Sequence, residues 1–272
     1  MDYYVCVVAV DAMKQRSDPA CSFLRVDASR PRARDLSPVF FSSVRNSAIT
    51  ANSDQPATFV FASLSGIKRH EVCLKHACNA STIIANQTTW GDVNHTTFSG
   101  ANFQHGSRYV LSAVAVSYAD VRSKQTCSDP VIADHTAPSP GLVFDGNSSG
   151  EDINVQNSSD LICANWQGFF DEESGVEKFK IKATAGTPDS DMRRARVVGD
   201  VLHYCASAEA LLGNASIASP WIIHLSVSAC NWLGLCTTPV HSDGIRLDAP
   251  DADEAHVHYL GERPVGVSAS GE

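Results

Sequence analysis

The sequence predicts an all-β chain of tandem Greek-key β-sandwiches, strung one after another as beads on a string. Three observations predict it. Short β-branched and aromatic runs alternate with Gly, Asn, Asp and Ser turns, and no long 3.6-residue period appears. Similar segments recur at a spacing close to one small domain. Nine cysteines are scattered along the chain rather than grouped as CxxC pairs.

The composition is that of a folded chain: 272 residues, 43% hydrophobic and 19% charged. That range excludes disordered and collagen-like structure. The formal net charge is −9 and no basic run stands out, so nucleic acid is excluded as a partner. The apolar stretches are strand-sized, which excludes a membrane helix within this segment.

The cysteines and the sequons point outside the cytosol, to an extracellular or cell-surface glycoprotein. Asn79, Asn86, Asn94, Asn147, Asn157 and Asn214 each begin an Asn-x-Ser/Thr triplet, so six of the 12 asparagines do so. Chance in this composition would give about two. The opening residues Tyr3 to Val10 carry no basic n-region and no cleavage site. They read as a strand that begins at once, and the expectation is a fragment whose signal peptide was lost with a missing N-terminus.

The repeat organises the chain. Tyr3–Asp11, Tyr109–Ser117 and Ile223–Asn231 resemble one another, each leading to a closing Asp before Ala or Ser/Thr and Pro. Those closing residues, Asp27, Asp134 and Asp248, recur at intervals of 107 and 114. Ser65-Gly66-Ile67 and Ser174-Gly175-Val176 repeat at 109. Residues 1–29 therefore read as the last two strands, F and G, of a truncated sandwich. Residues 30–137 and 138–250 read as complete sandwiches, and 251–272 as an acidic, flexible tail. Two segments depart from the strand pattern, Asp189–Arg196 and Ala206–Leu212, and the second amounts at most to a helical turn.

The third segment carries a family likeness. It opens Thr136-Ala137-Pro138 and continues to Leu161-Ile162-Cys163-Ala164-Asn165-Trp166-Gln167-Gly168-Phe169-Phe170-Asp171. It closes Val227-Ser228-Ala229-Cys230-Asn231-Trp232-Leu233-Gly234. These residues resemble the fibronectin type III/immunoglobulin-like repeats of large secreted and cell-surface proteins. Residues 30–137 match less well: the position of Trp166 falls near Phe61 or Ser63, and the Gly-Phe-x-Asp turn is absent. The resemblance implies a non-catalytic domain type and names no ligand.

Strand alternation agrees with it. Ile162, Ala164 and Trp166 share one face of strand B, and Ile223, Leu225, Val227 and Ala229 one face of strand F. The matching F faces are Tyr109, Leu111, Ala113 and Ala115 in the middle repeat, and Tyr3, Val5, Val7 and Ala9 in the first. The same register places Cys6 with Cys21 and Cys230 with Cys236 across F–G hairpins. It sets Cys163 on strand B beside Cys205 on strand E, with Cys163, Cys6 and Cys230 outward. Cys73 and Cys78 are expected to close a turn. Cys127 is left as the spare thiol, because its hairpin neighbour is Ser112 and Cys73 lies two strands away, about 10 Å.

Catalytic and metal signals are weak. Gly146-Asn147-Ser148-Ser149-Gly150 matches GxSxG but lacks the strand-to-helix setting of a nucleophile elbow. His70, Cys73, His76 and Cys78 invite a zinc reading, which alternation opposes by placing His70 and Cys73 on opposite faces. Acidic residues gather near the joints: Asp134, Asp145, Glu151, Asp152, Asp171, Glu172 and Glu173. Carboxylates suit calcium, but no EF-hand spacing is present, and a solvated acidic loop explains the cluster without an ion. No enzyme activity, cofactor or metal is expected, and no Arg-Gly-Asp triplet is present.

The expected role is a spacer and an adhesion or recognition segment, whose partner is a protein or glycan at the cell surface together with neighbouring repeats of the same chain. The alternative is a receptor ectodomain or carbohydrate-binding module, with Trp90, Trp221 or Trp232 stacking on a sugar. A third reading makes these the ancillary domains of a larger secreted enzyme. None of the sequons falls in a proposed F or G strand, which leaves the F–G face of each domain clear of glycan.

Overall fold

A computed structural model describes residues 2–34, 39–50, 54–157, 161–189, 191–212 and 221–247. The chain divides into two compact units, Met1–Thr136 and Ala137–Glu272. In unit 1 the strands are β1 (Asp2–Val7), β2 (Ala20–Arg25), β3 (Arg32–Ala33), β4 (Val39–Phe41), β5 (Ala48–Thr50), β6 (Gln55–Phe59) and β7 (Phe61–Ala62). They continue as β8 (Ile67–Lys75), β9 (Ala85–Trp90), β10 (His95–Phe98), β11 (Arg108–Ser117), β12 (Thr126–Cys127) and β13 (Val131–Asp134). Unit 2 holds β14 (Leu142–Asp145), β15 (Val155–Gln156), β16 (Ile162–Gln167), β17 (Val176–Ala185), β18 (Arg196–Gly199) and β19 (His203–Ala206). It ends with one short helix, α1 (Ala208–Leu212), then β20 (Trp221–Asn231), β21 (Val240–His241) and β22 (Ile245–Leu247).

Both units build the same sandwich. One sheet runs β10-β6-β4 in unit 1 and β14-β16-β19 in unit 2. The other runs β5-β13-β11-β8-β9 and β15-β22-β20-β17-β18, with β12 and β21 pairing on β11 and β20. In the parallel pairs β5–β13 and β15–β22, the short strand that follows β4 or β14 joins the larger sheet and covers its edge. Strand order with these crossovers is the Greek-key β-sandwich of the fibronectin type III/immunoglobulin type.

Period-two alternation determines which side chains meet between the sheets. Tyr109, Leu111, Ala113 and Ala115 of β11 are all buried, as are Ile223, Leu225, Val227 and Ala229 of β20. They face Ala57 and Phe59 in unit 1 and Ile162, Ala164 and Trp166 in unit 2. Pairing Val39 with Phe59, and Val143 with Trp166, makes Phe59 the counterpart of Trp166, rather than Phe61 or Ser63. The turn to the next strand is shorter in unit 1, 65 − 59 = 6 residues against 174 − 166 = 8, so counting along the chain loses the register there.

Of residues 189–196, those described form no helix: Arg193 pairs with Asp191, and Arg196 begins β18. The hairpin β1–β2 forms a two-stranded sheet of its own. Its Tyr3, Val5 and Val7, expected in a core, are about half exposed or more (46, 51 and 67%), because that face meets no second sheet among the described residues. Asp248, Asn214 and the acidic tail 251–272 lie outside the described residues.

Candidate functional site

One hairpin pattern recurs at β1–β2, β11–β12 and β20–β21, and its hydrogen bonds repeat residue by residue. Ser17 Oγ accepts the Ala9 N–H, Ser123 Oγ that of Ala115, and Thr237 Oγ1 that of Ala229, at 3.0, 3.0 and 3.1 Å. The N–H groups of Ser17, Ser123 and Thr237 return to the carbonyls of the same alanines. A polar residue caps each turn. Asp11 Oδ1 accepts the Met13 and Gln15 N–H groups, and Asn231 Oδ1 those of Leu233 and Leu235. Ser117 Oγ accepts the Val121 N–H. One residue per turn is left-handed: Lys14, Asp120 and Gly234, with φ of 61, 55 and 86°. Only the third is the glycine that this conformation favours.

These turns present exposed apolar side chains. Tyr118 and Trp232 occupy the same turn position and are 63 and 39% exposed, and Met13 of the first hairpin is 81% exposed. The hairpin stems behind them are closed. Ser112, Ser226, Ser228 and Cys230 point away from the core and yet are buried. On the outward side of the two sheets Arg122 grips Glu71 of β8 through both terminal guanidinium nitrogens, and Lys180 Nζ of β17 lies 3.5 Å from Cys236 Sγ. Hydrogen bonds from Arg122 hold the Glu71 carboxyl below its usual range.

The cysteines pair as Cys6–Cys21, Cys163–Cys205, Cys230–Cys236 and Cys78–Cys127. Cys6 and Cys21 face each other across β1–β2, and Cys163 and Cys205 across β16–β19. The two hairpin disulfides lie on different rungs. The rung of Cys6–Cys21 holds Ser226 and His241 in unit 2, joined at 2.8 Å. Cys163 alternates with the core residues Ile162 and Ala164, so it faces away from the core, and it is nonetheless buried.

The fourth bond corrects the assignment of Cys73 and Cys127. Ser112 lies opposite both Cys73 and Cys127, as the register requires. Cys78 is in the turn beyond the end of β8, and that turn folds back toward β12, where Gln125 Nε2 donates to the Cys78 carbonyl at 2.9 Å. The Cys78 and Cys127 Cα atoms come within 5.9 Å. Cys73, still within β8 and opposite Ser112, has no such reach; it is the free, half-buried thiol, and burial raises its pKa.

His70 lies in the core, 2% exposed. It packs on the rings of Phe59 and Phe61 at 4.7 and 5.8 Å. Pairing His70 with Ala115, and Phe179 with Ala229, makes Phe179 its counterpart in unit 2. Burial lowers the imidazole pKa, opposed by the Val93 carbonyl and the Asp92 charge. His76 Nδ1 sits 2.9 Å from the Arg108 carbonyl, and Cys78 is bonded, so the four suggested zinc ligands do not converge. A His kept neutral in the folded state binds fewer protons than in the unfolded chain, where its pKa is about 6.5. Unit 1 is therefore expected to keep its stability above pH ~6.5 and to lose it as the pH falls below that value, with a slope no steeper than about 1.4 kcal/mol per pH unit. Urea unfolding from acid to neutral pH checks this, and His70→Phe should flatten the dependence.

The Gly146–Gly150 stretch is a loop with no helix after it, its Gly150 N–H held by Asn165 Oδ1 at 2.8 Å. Asp134 Oδ1 accepts the Thr136 N–H, and Asp171 is saturated by Ser174, Gly175 and Asn231, so both serve turns. Glu172 is exposed. Asn79, Asn86, Asn94, Asn147 and Asn157 are all exposed, and none lies on β11–β13 or β20–β22. Trp90 on β9 is 63% exposed, while the side chain of Trp221 lies outside the described ones. No helix among the described residues is long and apolar enough to cross a membrane.

No protein-family model and no curated protein matches the chain. Among solved structures it is similar to the fibronectin(III)-like modules of Clostridium thermocellum CbhA. That match has 18% identity and TM-score 0.41, over 78% of this chain and 94% of that one. It is also similar to the FN1-FN3 domains of chicken CNTN1, at 15% identity and TM-score 0.45, over 86% of this chain and 72% of that one. The assignment to the fibronectin type III/immunoglobulin-like β-sandwiches rests on the strand order and pairings described above.

Proposed function

We propose that the chain is a non-catalytic extracellular or cell-surface segment. Its F–G turns are the recognition surface for a protein or glycan partner. The observation that carries this reading is the recurrence of one turn, with Tyr118 and Trp232 held outward at the same position on stems built alike. Exposed aromatics on a rigid turn give large contact area at low ordering cost. The exposed sequons support it by lying elsewhere. In this reading β1–β2 is the F–G hairpin of a further sandwich, residues 30–137 and 138–250 are whole domains, and neighbouring repeats complete the array.

Binding of the whole chain to arrays of extracellular proteins and glycans tests the proposal. Tyr118→Ala with Trp232→Ala should reduce the capture of any ligand found at least tenfold while leaving the fold intact. Lys124→Asn, followed by Gln125 and Thr126, introduces a sequon beside the turn of unit 1 and, once glycosylated, should block binding there. Undiminished binding by both variants would overturn the assignment of the surface. Loss of glycan capture in Trp90→Ala alone would favour the carbohydrate-binding reading through β9.

A further inference from the structure

Asp145 ends β14 with its side chain fully buried. Its Oδ2 accepts the Gly244 N–H at 2.9 Å, whereas its Oδ1 is buried with no hydrogen-bond partner. A buried carboxylate oxygen without a donor is costly. The fold does not demand it: the residue at the same register in unit 1 is Phe41, opposite Ala57 as Asp145 is opposite Ala164. Two more carboxylates converge on the same place. Asp152 arrives from the loop after β14, and Asp243 from the connection between β21 and β22. One oxygen of each of the three lies within 4.8 Å of the others. Burial, with the charges of Asp243 and Asp152 adding to it, pushes the Asp145 pKa up to about 6, against the opposing pull of the Ser242 hydroxyl and the Gly244 N–H.

The surroundings are organised in advance. Asn165, buried, donates through Nδ2 to the carbonyls of Gly146 and Glu151, and its Oδ1 accepts the Gly150 N–H. Glu151 accepts the N–H groups of Asn147 and Ser148. The loop is thus shaped up to the residue before Asp152, whose Oδ1 accepts the Asp145 N–H at 3.2 Å. All the donor atoms offered are hard oxygens. Around one Ca²⁺ with bonds of about 2.3–2.6 Å, ligand oxygens sit up to about 5 Å apart; around Mg²⁺ they sit no more than about 4.2 Å apart.

We propose that Asp145, Asp152 and Asp243 form a calcium site in unit 2. The ion would supply the missing partner of Asp145 Oδ1. It would also tie β14 of one sheet to the β21–β22 connection of the other. Main-chain carbonyls and water would complete the shell of six to eight oxygens usual for this ion. Sequence reading named Asp145 and Asp152 among seven acidic residues and missed Asp243. Its only local signal is the Ser242-Asp243-Gly244 turn, about 100 residues away in the chain.

The test is calcium titration of the whole chain by calorimetry, with melting curves in about 5 mM CaCl₂ and in EDTA. One site is expected, with a dissociation constant of about 10⁻⁴–10⁻³ M and a rise in melting temperature of about 3–10 °C. Asp152→Asn and Asp243→Asn, both at exposed positions, should weaken binding at least tenfold and remove most of the shift. Asp145→Asn should abolish the response and, in EDTA, melt no lower than the unsubstituted chain. No heat and no shift up to about 10 mM calcium would overturn the site. So would a calcium response unchanged in Asp152→Asn and Asp243→Asn, or an equal shift from MgCl₂.

Discussion

Trp166→Ala should destabilise unit 2 by about 3–5 kcal/mol, the range for removing a buried aromatic side chain from a packed core. The indole is 2% exposed, lies between the two sheets and packs on the Phe179 ring at 5.4 Å. Hydrogen exchange should rise in β16 and β20 and stay unchanged in β6 and β11. Trp166→Phe copies the residue at the matching register of unit 1, Phe59. It should cost only about 1–2 kcal/mol, because the ring contact is largely kept. The buried Trp166 Nε1 has no hydrogen-bond partner, so losing it removes a penalty as well. Urea unfolding of the two variants measures both differences. A cost below about 1 kcal/mol for alanine would contradict the placement of Trp166 at the centre of the core.

Asp171→Ala should cost about 2–4 kcal/mol, since several donors lose one charged acceptor. Asp171 Oδ1 accepts the N–H groups of Ser174 and Gly175 and the Ser174 hydroxyl, at 2.8, 2.9 and 3.1 Å. Its Oδ2 accepts Asn231 Nδ2 at 3.2 Å. The Asn231 carbonyl oxygen in turn holds the F–G turn through Leu233 and Leu235. The loss should therefore spread, with faster amide exchange at Leu233 and Leu235 as well as in the Ser174 turn. Asp171→Asn keeps an acceptor for Ser174 and Gly175 but sets two amide donors face to face at Asn231. It should protect the nearer turn and loosen the farther one. Unchanged exchange at Leu233 and Leu235 in both variants would show that the two turns are not coupled through this pair.

Much of the architecture was legible from local pattern. Alternation alone selected the buried faces of β11, β16 and β20, because a strand sends successive side chains to opposite sides whatever its neighbours are. The cross-strand cysteines were legible for the same reason: Cys6 and Cys21, and Cys163 and Cys205, lie directly opposite in regular antiparallel pairs. Cys78–Cys127 was not, because Cys78 sits past the end of its strand, where the path of the turn rather than strand periodicity sets its position. His70 escaped for a related reason. Its type reads as surface, and only its packing against Phe59 and Phe61, with its place in the register opposite Ala115, shows it occupying the position of a phenylalanine.

By itself, the sequence determined the β class, the repeat near 110 residues and the faces that form the two cores. Each of these follows from periodicities within a strand or from self-similarity along the chain. Tertiary structure alone decided which long-range partners meet. It joined Asp145 to Asp243 across the two sheets, turned Cys127 toward Cys78, and left Tyr118 and Trp232 exposed on matching turns. The physical reason is that strand order and loop path, not local spacing, bring together residues 49 to 98 positions apart.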